Sequence, residues 1–273
     1  MTIFQSILLG IVQGLTEFLP ISSSGHLVIV PYLLGWEIPV KDAFVFGVLV
    51  QVATLVAVIA YFWRDLVMMI KGFYNGIKTK KPLEDSQSRL AIWIIIATIP
   101  AGVFGLLVKD IVEAAFSNAR VTAILMFVTA ILLVIAERVG ARRRNLEDMD
   151  WKDALWIGFF QALAIFPGVS RSGATITGGM TRDLQREPAA RFSFLISIPV
   201  MLAAGFLALL DLFKIPNPLD SLLVYIPGFI AAAVVGYLTI RWLLRYLTHH
   251  PLYVFAIYCA VVGTLTLILS LFI

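Results

Sequence analysis

The stretch Gln13-Gly14-Leu15-Thr16-Glu17-Phe18-Leu19-Pro20-Ile21-Ser22-Ser23-Ser24-Gly25-His26 decides how the rest of the chain is read. It closes an apolar, helix-like run over residues 3–19, then interrupts it with Pro20 and a run of serines. Only about ten apolar residues follow before Gly35, whereas about 20 are needed to cross some 30 Å of hydrocarbon. The pattern predicts two half-helices joined by a polar tip. Backbone of that kind is tolerated at membrane depth only where protein or a water-filled cavity covers it.

A second stretch behaves alike. Residues 154–166 meet Pro167-Gly168-Val169-Ser170-Arg171-Ser172-Gly173-Ala174-Thr175, and a short segment to Met180 follows. Gly10, Gln13 and Gly25 match Gly158, Gln161 and Gly173 at a constant offset of 148. Phe44 and Phe46 match Phe192 and Phe194 at that same offset of 148, and Pro20 matches Pro167 with a one-residue slip. Around these two breaks, six segments are long and apolar enough to span: 42–63, 90–108, 119–136, 192–210, 222–240 and 252–273. The fold class expected is therefore all-α integral membrane, with six full transmembrane helices plus two re-entrant helical hairpins. One membrane domain covers 1–273, built from copies at about 1–138 and 150–273. Each copy holds one hairpin and three spans. Three is odd, so the second copy inverts, which brings broken helices together near the bilayer midplane.

Composition agrees. Of 273 residues, 60% are hydrophobic and 14% charged, against about 25% charged in a soluble domain; the mean hydropathy is +0.93. The single cysteine excludes an internal disulfide and a cysteine-rich zinc site. No charged segment followed by a small-residue cleavage site opens the chain, so no cleavable signal peptide is expected. The net charge of +4 is read as loop charge that sets membrane orientation, not as a nucleic-acid surface. Of 21 Lys and Arg, 16 fall on the side of the 64–89 loop, four (Lys41, Lys109, Arg120, Lys214) on the other, and Arg171 in a hairpin tip. The positive-inside rule makes the first side cytoplasmic and puts both termini outside a multi-pass plasma-membrane protein.

The polar residues carry the chemistry. Gln13 and Glu17 are four apart and share a helix face. A carboxylate in an apolar helix is costly unless paired or wet, which makes Glu17 a functional candidate beside the plainer reading of a structural ion pair. Ser22, Ser23 and Ser24 precede a short helix; one hydroxyl suffices for a cap, and three suit an anion at a helix N-terminus. Ser23 and His26, three apart, can meet on one face as nucleophile and base. In the second break, Arg171 offers a planar fork suited to phosphate or carboxylate, with Ser170, Ser172 and Thr175 as further donors. The two clusters together describe a buried pocket for a phosphate or diphosphate.

At these residues the chain resembles the bacterial undecaprenyl-diphosphate phosphatase family, also called the bacitracin-resistance protein family. The signatures are Gln13 to His26 and Pro167 to Thr175, and the resemblance runs the full length. It implies hydrolysis of undecaprenyl diphosphate to the monophosphate and inorganic phosphate, which recycles a carrier lipid for cell-wall (peptidoglycan) synthesis. It also implies a divalent cation, Mg²⁺ or Ca²⁺, and no organic cofactor. Many members have glutamate where this chain has Gln13, which shifts the burden to Glu17. The Ser24-Gly25-His26 element also resembles the phosphatidic-acid-phosphatase type. That type needs a second catalytic histidine, and only His249 and His250, both at a span end, remain. The expected catalytic set is Glu17, Ser23, His26 and Arg171, with Gln13, Ser22, Ser24, Ser170, Ser172 and Thr175 binding substrate. In this scheme Ser23 attacks, His26 takes its proton, and Glu17 orients His26 or holds a cation; His26 as the nucleophile is the alternative. Partners expected are a polyprenyl diphosphate lipid and the membrane, a homodimer being compatible. The competing reading is a transporter or flippase for an anionic or lipid-linked substrate, since inverted repeats with broken helices are typical of secondary transporters.

Overall fold

A computed structural model describes residues 1–108, 112, 118–212 and 222–272. Lys109 and Lys214, two of the charges used to set the orientation, lie outside the described residues. Eleven α-helices occur among the described residues, and no strand. They are α1 (Ile3–Phe18), α2 (Ser23–Leu33), α3 (Val40–Tyr61), α4 (Trp63–Lys78), α5 (Ser86–Leu107) and α6 (Ala119–Val139). After a 3₁₀ turn at Leu146–Asp148 come α7 (Trp151–Leu163), α8 (Arg171–Met180), α9 (Arg186–Leu212), α10 (Leu222–Leu247) and α11 (Tyr253–Leu269).

Five helices are long and apolar enough to cross a membrane: α3, α5, α6, α9 over Arg186–Ala208, and α10. The sixth expected span, 252–273, is a helix of 17 residues, Tyr253–Leu269, or about 26 Å at 1.5 Å per residue. The segment 64–89, expected as a loop, instead contains the 16-residue α4. Its apolar side chains Trp63, Ile70, Tyr74 and Ile77 are exposed along one row while Met69 and Gly76 are buried. The interspersed Arg64, Lys71 and Lys78 masked that periodicity and made the segment read as polar connection.

Both expected breaks are present. The first separates α1 from α2 at Leu19–Ser22, the second α7 from α8 at Ala164–Ser170. Their caps are alike: Ser22 Oγ accepts from Gly25 N at 3.3 Å, and Ser170 Oγ accepts from Gly173 N at 3.1 Å. Each cap thereby satisfies one of the free N–H groups that open a helix.

Helix neighbours come in matched pairs. α1 lies along α10 and α7 along α5; α3 packs on α10 and α9 on α5; α6 packs on α11 and α3 on α9. Between apolar helices in lipid, close backbone approach does the work that water-driven burial does elsewhere. A Cβ on Gly10 would fall 2.2 Å from the carbonyl oxygen of Gly228 in α10, and one on Gly158 2.7 Å from that of Ala97 in α5. Only glycine fits either seam. Behind the first break, Phe18 packs edge-on to Phe194 at 5.4 Å between ring centroids, which plugs α1 against α9.

Arginine–carboxylate pairs hold one end of the bundle. The side chain of Glu137 is buried and receives Arg142, Arg186 and the backbone N–H of Leu252. That of Asp153, at the first turn of α7, is buried between Arg144 and Arg182 at 2.6 Å each. Its pKa lies below the usual carboxylate value: burial pushes it up, and bonds from Arg144, the Asp150 N–H and Arg182 outweigh that. These pairs tie the segment after α6 to the turn between α8 and α9.

Candidate active site

The two breaks meet on one carboxylate. Glu17 occupies the last turn of α1. Its Oε1 accepts from Arg171 at 2.7 Å, and its Oε2 accepts from Ser23 Oγ at 2.5 Å and from Gln13 Nε2 at 2.9 Å. Ser23 and Arg171 are the first residues of α2 and α8, 148 positions apart, so equivalent positions of the two breaks grip the two oxygens of one group. The pair is largely removed from solvent, with side-chain exposures of 16% for Arg171 and 8% for Glu17.

The donor pattern fixes how Gln13 faces. Glu17 needs a donor, and Thr54 Oγ1, which donates to backbone carbonyls of α3, accepts at 3.5 Å. Gln13 therefore presents its NH₂ to both, and its own Oε1 is left buried without a partner. This is the kind of oxygen a hard cation takes. A resident Mg²⁺ or Ca²⁺ cage would need about six oxygen ligands, and no group of three or more His, Cys, Asp or Glu suited to a metal occurs among the described residues. Glu17 and Gln13 Oε1 would be the residues to offer oxygens to a divalent cation that arrives with phosphate.

Backbone geometry aims the rest. Ser22 stands at φ 72°, a left-handed conformation unusual for serine. Its carbonyl receives the His26 backbone N–H at 3.2 Å and lies 2.7 Å from His26 Nδ1. His26 Nε2 lies 2.8 Å from the hydroxyl of Tyr258 in α11. Both ring nitrogens are thus engaged, and Ser23 gives its proton to Glu17, not to His26. The expected Ser23–His26 pair, with Glu17 orienting His26, is replaced by a Ser23–Glu17 pair. The physical reason is packing, since α2 does begin at Ser23. Ser23 is the first residue of α2 and its side chain reaches back across the break, while His26 is tied into its own turn.

In the second break, Gly168 turns the chain at φ 95°, where a Cβ would fall 2.3 Å from the carbonyl oxygen of Thr122. Thr129 of α6 pins that turn: its Oγ1 donates to the Gly168 carbonyl at 2.9 Å and accepts from Ser170 N at 2.8 Å. Ser170 and Ser172 share a bond at 3.1 Å, and Ser172 Oγ reaches across to the Leu19 carbonyl at 3.0 Å, lacing one break to the other. Ser24 bonds Ser22 at 3.3 Å. Thr175 bonds back to the Arg171 carbonyl and to Ser193 of α9, so it steadies α8 and does not join the carboxylate cluster.

Tyr258, Thr54, Thr129 and Ser193 were not among the residues singled out from sequence. Each lies in an apolar helix, and nothing in the local sequence sets it apart from the other hydroxyls of those helices.

Known proteins match the chain along nearly its whole length. The family model described as bacitracin resistance protein BacA matches residues 6–265, a range that contains both breaks. An undecaprenyl-diphosphatase of Chlorobium phaeovibrioides is 44% identical, covering 98% of this chain and 97% of its own. Proteins of the same name from Thermomicrobium roseum and Methanosphaera stadtmanae are 40% and 41% identical over nearly the full length of both chains. With the match spanning both breaks and nearly every helix between and beyond them, the chain belongs to the bacitracin resistance protein family.

Proposed function

We propose that this protein is a membrane phosphatase that hydrolyses undecaprenyl diphosphate to undecaprenyl phosphate and inorganic phosphate, returning the carrier lipid to cell-wall synthesis. The observation that carries the reading is the Glu17 carboxylate held between the Ser23 hydroxyl and the Arg171 guanidinium. A carrier needs donors for its cargo but has no use for a hydroxyl bonded to a buried carboxylate. The relatives' shared name, undecaprenyl-diphosphatase, agrees.

The terminal phosphoryl group sits between the N-termini of α2 and α8, whose N–H groups and the guanidinium balance its charge. Arg171 exchanges Glu17 for phosphate oxygens, and the carboxylate, without its counter-charge, takes the Ser23 proton. Ser23 Oγ attacks phosphorus, the bond to the bridging oxygen breaks, and undecaprenyl phosphate leaves. Water then attacks the phosphoserine, inorganic phosphate leaves, and Ser23 Oγ recovers its proton. Glu17 and Gln13 would hold a divalent cation, Mg²⁺ or Ca²⁺, which supplies further neutralisation of phosphate charge. Both ring nitrogens of His26 are bonded, which favours Ser23 over His26 as the nucleophile.

The arrangement in the bilayer is part of the proposal. α1–α2 and α7–α8 form two re-entrant hairpins, and six helices span, α11 being the shortest. The halves are inverted copies, a reading supported by the matched helix neighbours and by the 148-residue spacing of Ser22, Ser23 and Gly25 from Ser170, Arg171 and Gly173. Both termini lie outside, the Lys and Arg excess inside.

The test is phosphate release from a prenyl diphosphate by purified protein in detergent. Release by wild type and its loss in Ser23→Ala is the expected result. Lipid movement in vesicles without phosphate release would replace the hydrolytic reading with the transporter one.

A further inference from the structure

His26 and Tyr258 are 232 residues apart, yet their rings stack at 5.6 Å between centroids and 12° between planes. The bonds around the imidazole dictate where its proton sits. Nδ1 lies 2.7 Å from the Ser22 carbonyl oxygen, which has no proton to give, so Nδ1 carries the hydrogen. In the neutral ring Nε2 is then a lone pair. At 2.8 Å from it, the Tyr258 hydroxyl must be the donor. The strained φ of 72° at Ser22 is what turns that carbonyl toward the ring. His26 is therefore held from both sides, by its own helix turn and by α11, and neither partner is a residue of the Glu17 cluster.

We propose that Tyr258 is a positioning residue of the hydrolytic reaction. Its hydroxyl donates to Nε2 of the tautomer that the Ser22 carbonyl selects, and it fixes the ring plane against α11. Through His26 it fixes the first turn of α2, and so the placement of Ser23 against Glu17. This inference rests on the hydrolytic reading for its consequence in turnover, and on geometry alone for the tautomer. A bond that holds a ring in place acts on orientation, so its loss appears in kcat more than in KM.

Tyr258→Phe keeps the stacked ring and removes only the O–H. Two readouts are taken on purified protein in detergent: turnover of a prenyl diphosphate, and the ¹⁵N resonances of the His26 ring, assigned by their loss in His26→Gln. Wild type should show one tautomer, protonated at Nδ1. In Tyr258→Phe, Nδ1 should keep its proton, held by the Ser22 carbonyl, while the Nε2 resonance should shift on losing its donor, with kcat falling by roughly tenfold or more and KM within about twofold. Protonation at Nε2 in wild type overturns the proposal with no variant needed, which covers the case of a Tyr258→Phe protein that does not fold. Full kcat in a folded Tyr258→Phe protein overturns it, as does a fall in kcat with the Nε2 resonance unchanged. Phosphate release by wild type, measured alongside, decides the hydrolytic reading separately from the tautomer.

Discussion

Replacing Arg171 with alanine removes one partner of a buried ion pair and leaves the other in place. The Arg171–Glu17 contact is 2.7 Å, and neither side chain is more than 16% exposed, so solvent screens it little. Breaking such a pair from one side typically costs about 3–5 kcal/mol, because the remaining charge is uncompensated. At about 2–4 °C per kcal/mol, the melting temperature in detergent should fall by on the order of 10 °C. Removing a charge stabiliser from a phosphoryl-transfer site also typically costs on the order of 10²- to 10³-fold in kcat. The two losses separate in the double variant Glu17→Gln, Arg171→Ala. Its neutral amide can still bond Ser23, so most of the lost melting temperature should return while turnover stays absent. Arg171→Lys keeps the charge without the fork, and should recover stability better than rate. The assay is phosphate release per folded molecule, with melting followed in the same samples. A well-folded Arg171→Ala protein with normal turnover refutes the phosphate-clamp role. A double variant as unstable as the single one refutes the uncompensated-charge argument.

Further outcomes follow from other features. Glu17→Gln and Ser23→Ala should each abolish most of kcat, and combining them should be little worse, as expected for groups acting as a unit; multiplying losses would mean the 2.5 Å bond between them is not catalytic. Gly10→Ala should destabilise the protein by a few kcal/mol, because its Cβ would meet the Gly228 carbonyl at 2.2 Å; Gly47→Ala, with open space around it, should leave melting unchanged or slightly raised. Asp153 has a depressed pKa in the folded state, so its contribution is present above its unfolded value of 3.8 and is lost as pH falls through the lower folded value. Melting of wild type should therefore decline in that acidic window, and Asp153→Asn should melt lower at neutral pH with a shallower acid decline. Lys80→Cys in a Cys259→Ala background should react with an impermeant reagent only after cells are opened; labelling from outside intact cells would invert the topology.

Both breaks were legible because they are written in local chemistry. Proline, glycine and serine in an apolar run stop a helix whatever lies around them, and Ser22 and Ser170 cap as such residues do. The convergence of the two breaks followed from the inverted-copy reading, and Glu17 and Arg171, each costly alone in an apolar run, bond there. What the spacing of Ser23 and His26 could not convey was the packing around them: α2 does begin at Ser23, but the end of α1 offers Ser23 the Glu17 carboxylate, while Ser22 and Tyr258 take both ring nitrogens of His26. Tyr258 and Thr129 were illegible for another reason. Their partners lie 232 and 41 residues away, and a hydroxyl in an apolar helix has many candidate acceptors until the packing is known. α4 was hidden by basic residues that serve a surface helix as well as they serve a loop.

The seams at Gly10 and Gly158 bear on how rigidly the two tips are held. Each places one half-helix directly on a neighbour's carbonyl, backbone against backbone. A seam set by a facing carbonyl leaves little room to accommodate a shift of even an ångström. Ser172, anchored to the Leu19 carbonyl, adds a crossbar between the two tips. A machine that carried cargo by rocking would have to break these contacts in every cycle. The two tips, and with them Glu17, Ser23 and Arg171, are thereby held in fixed register.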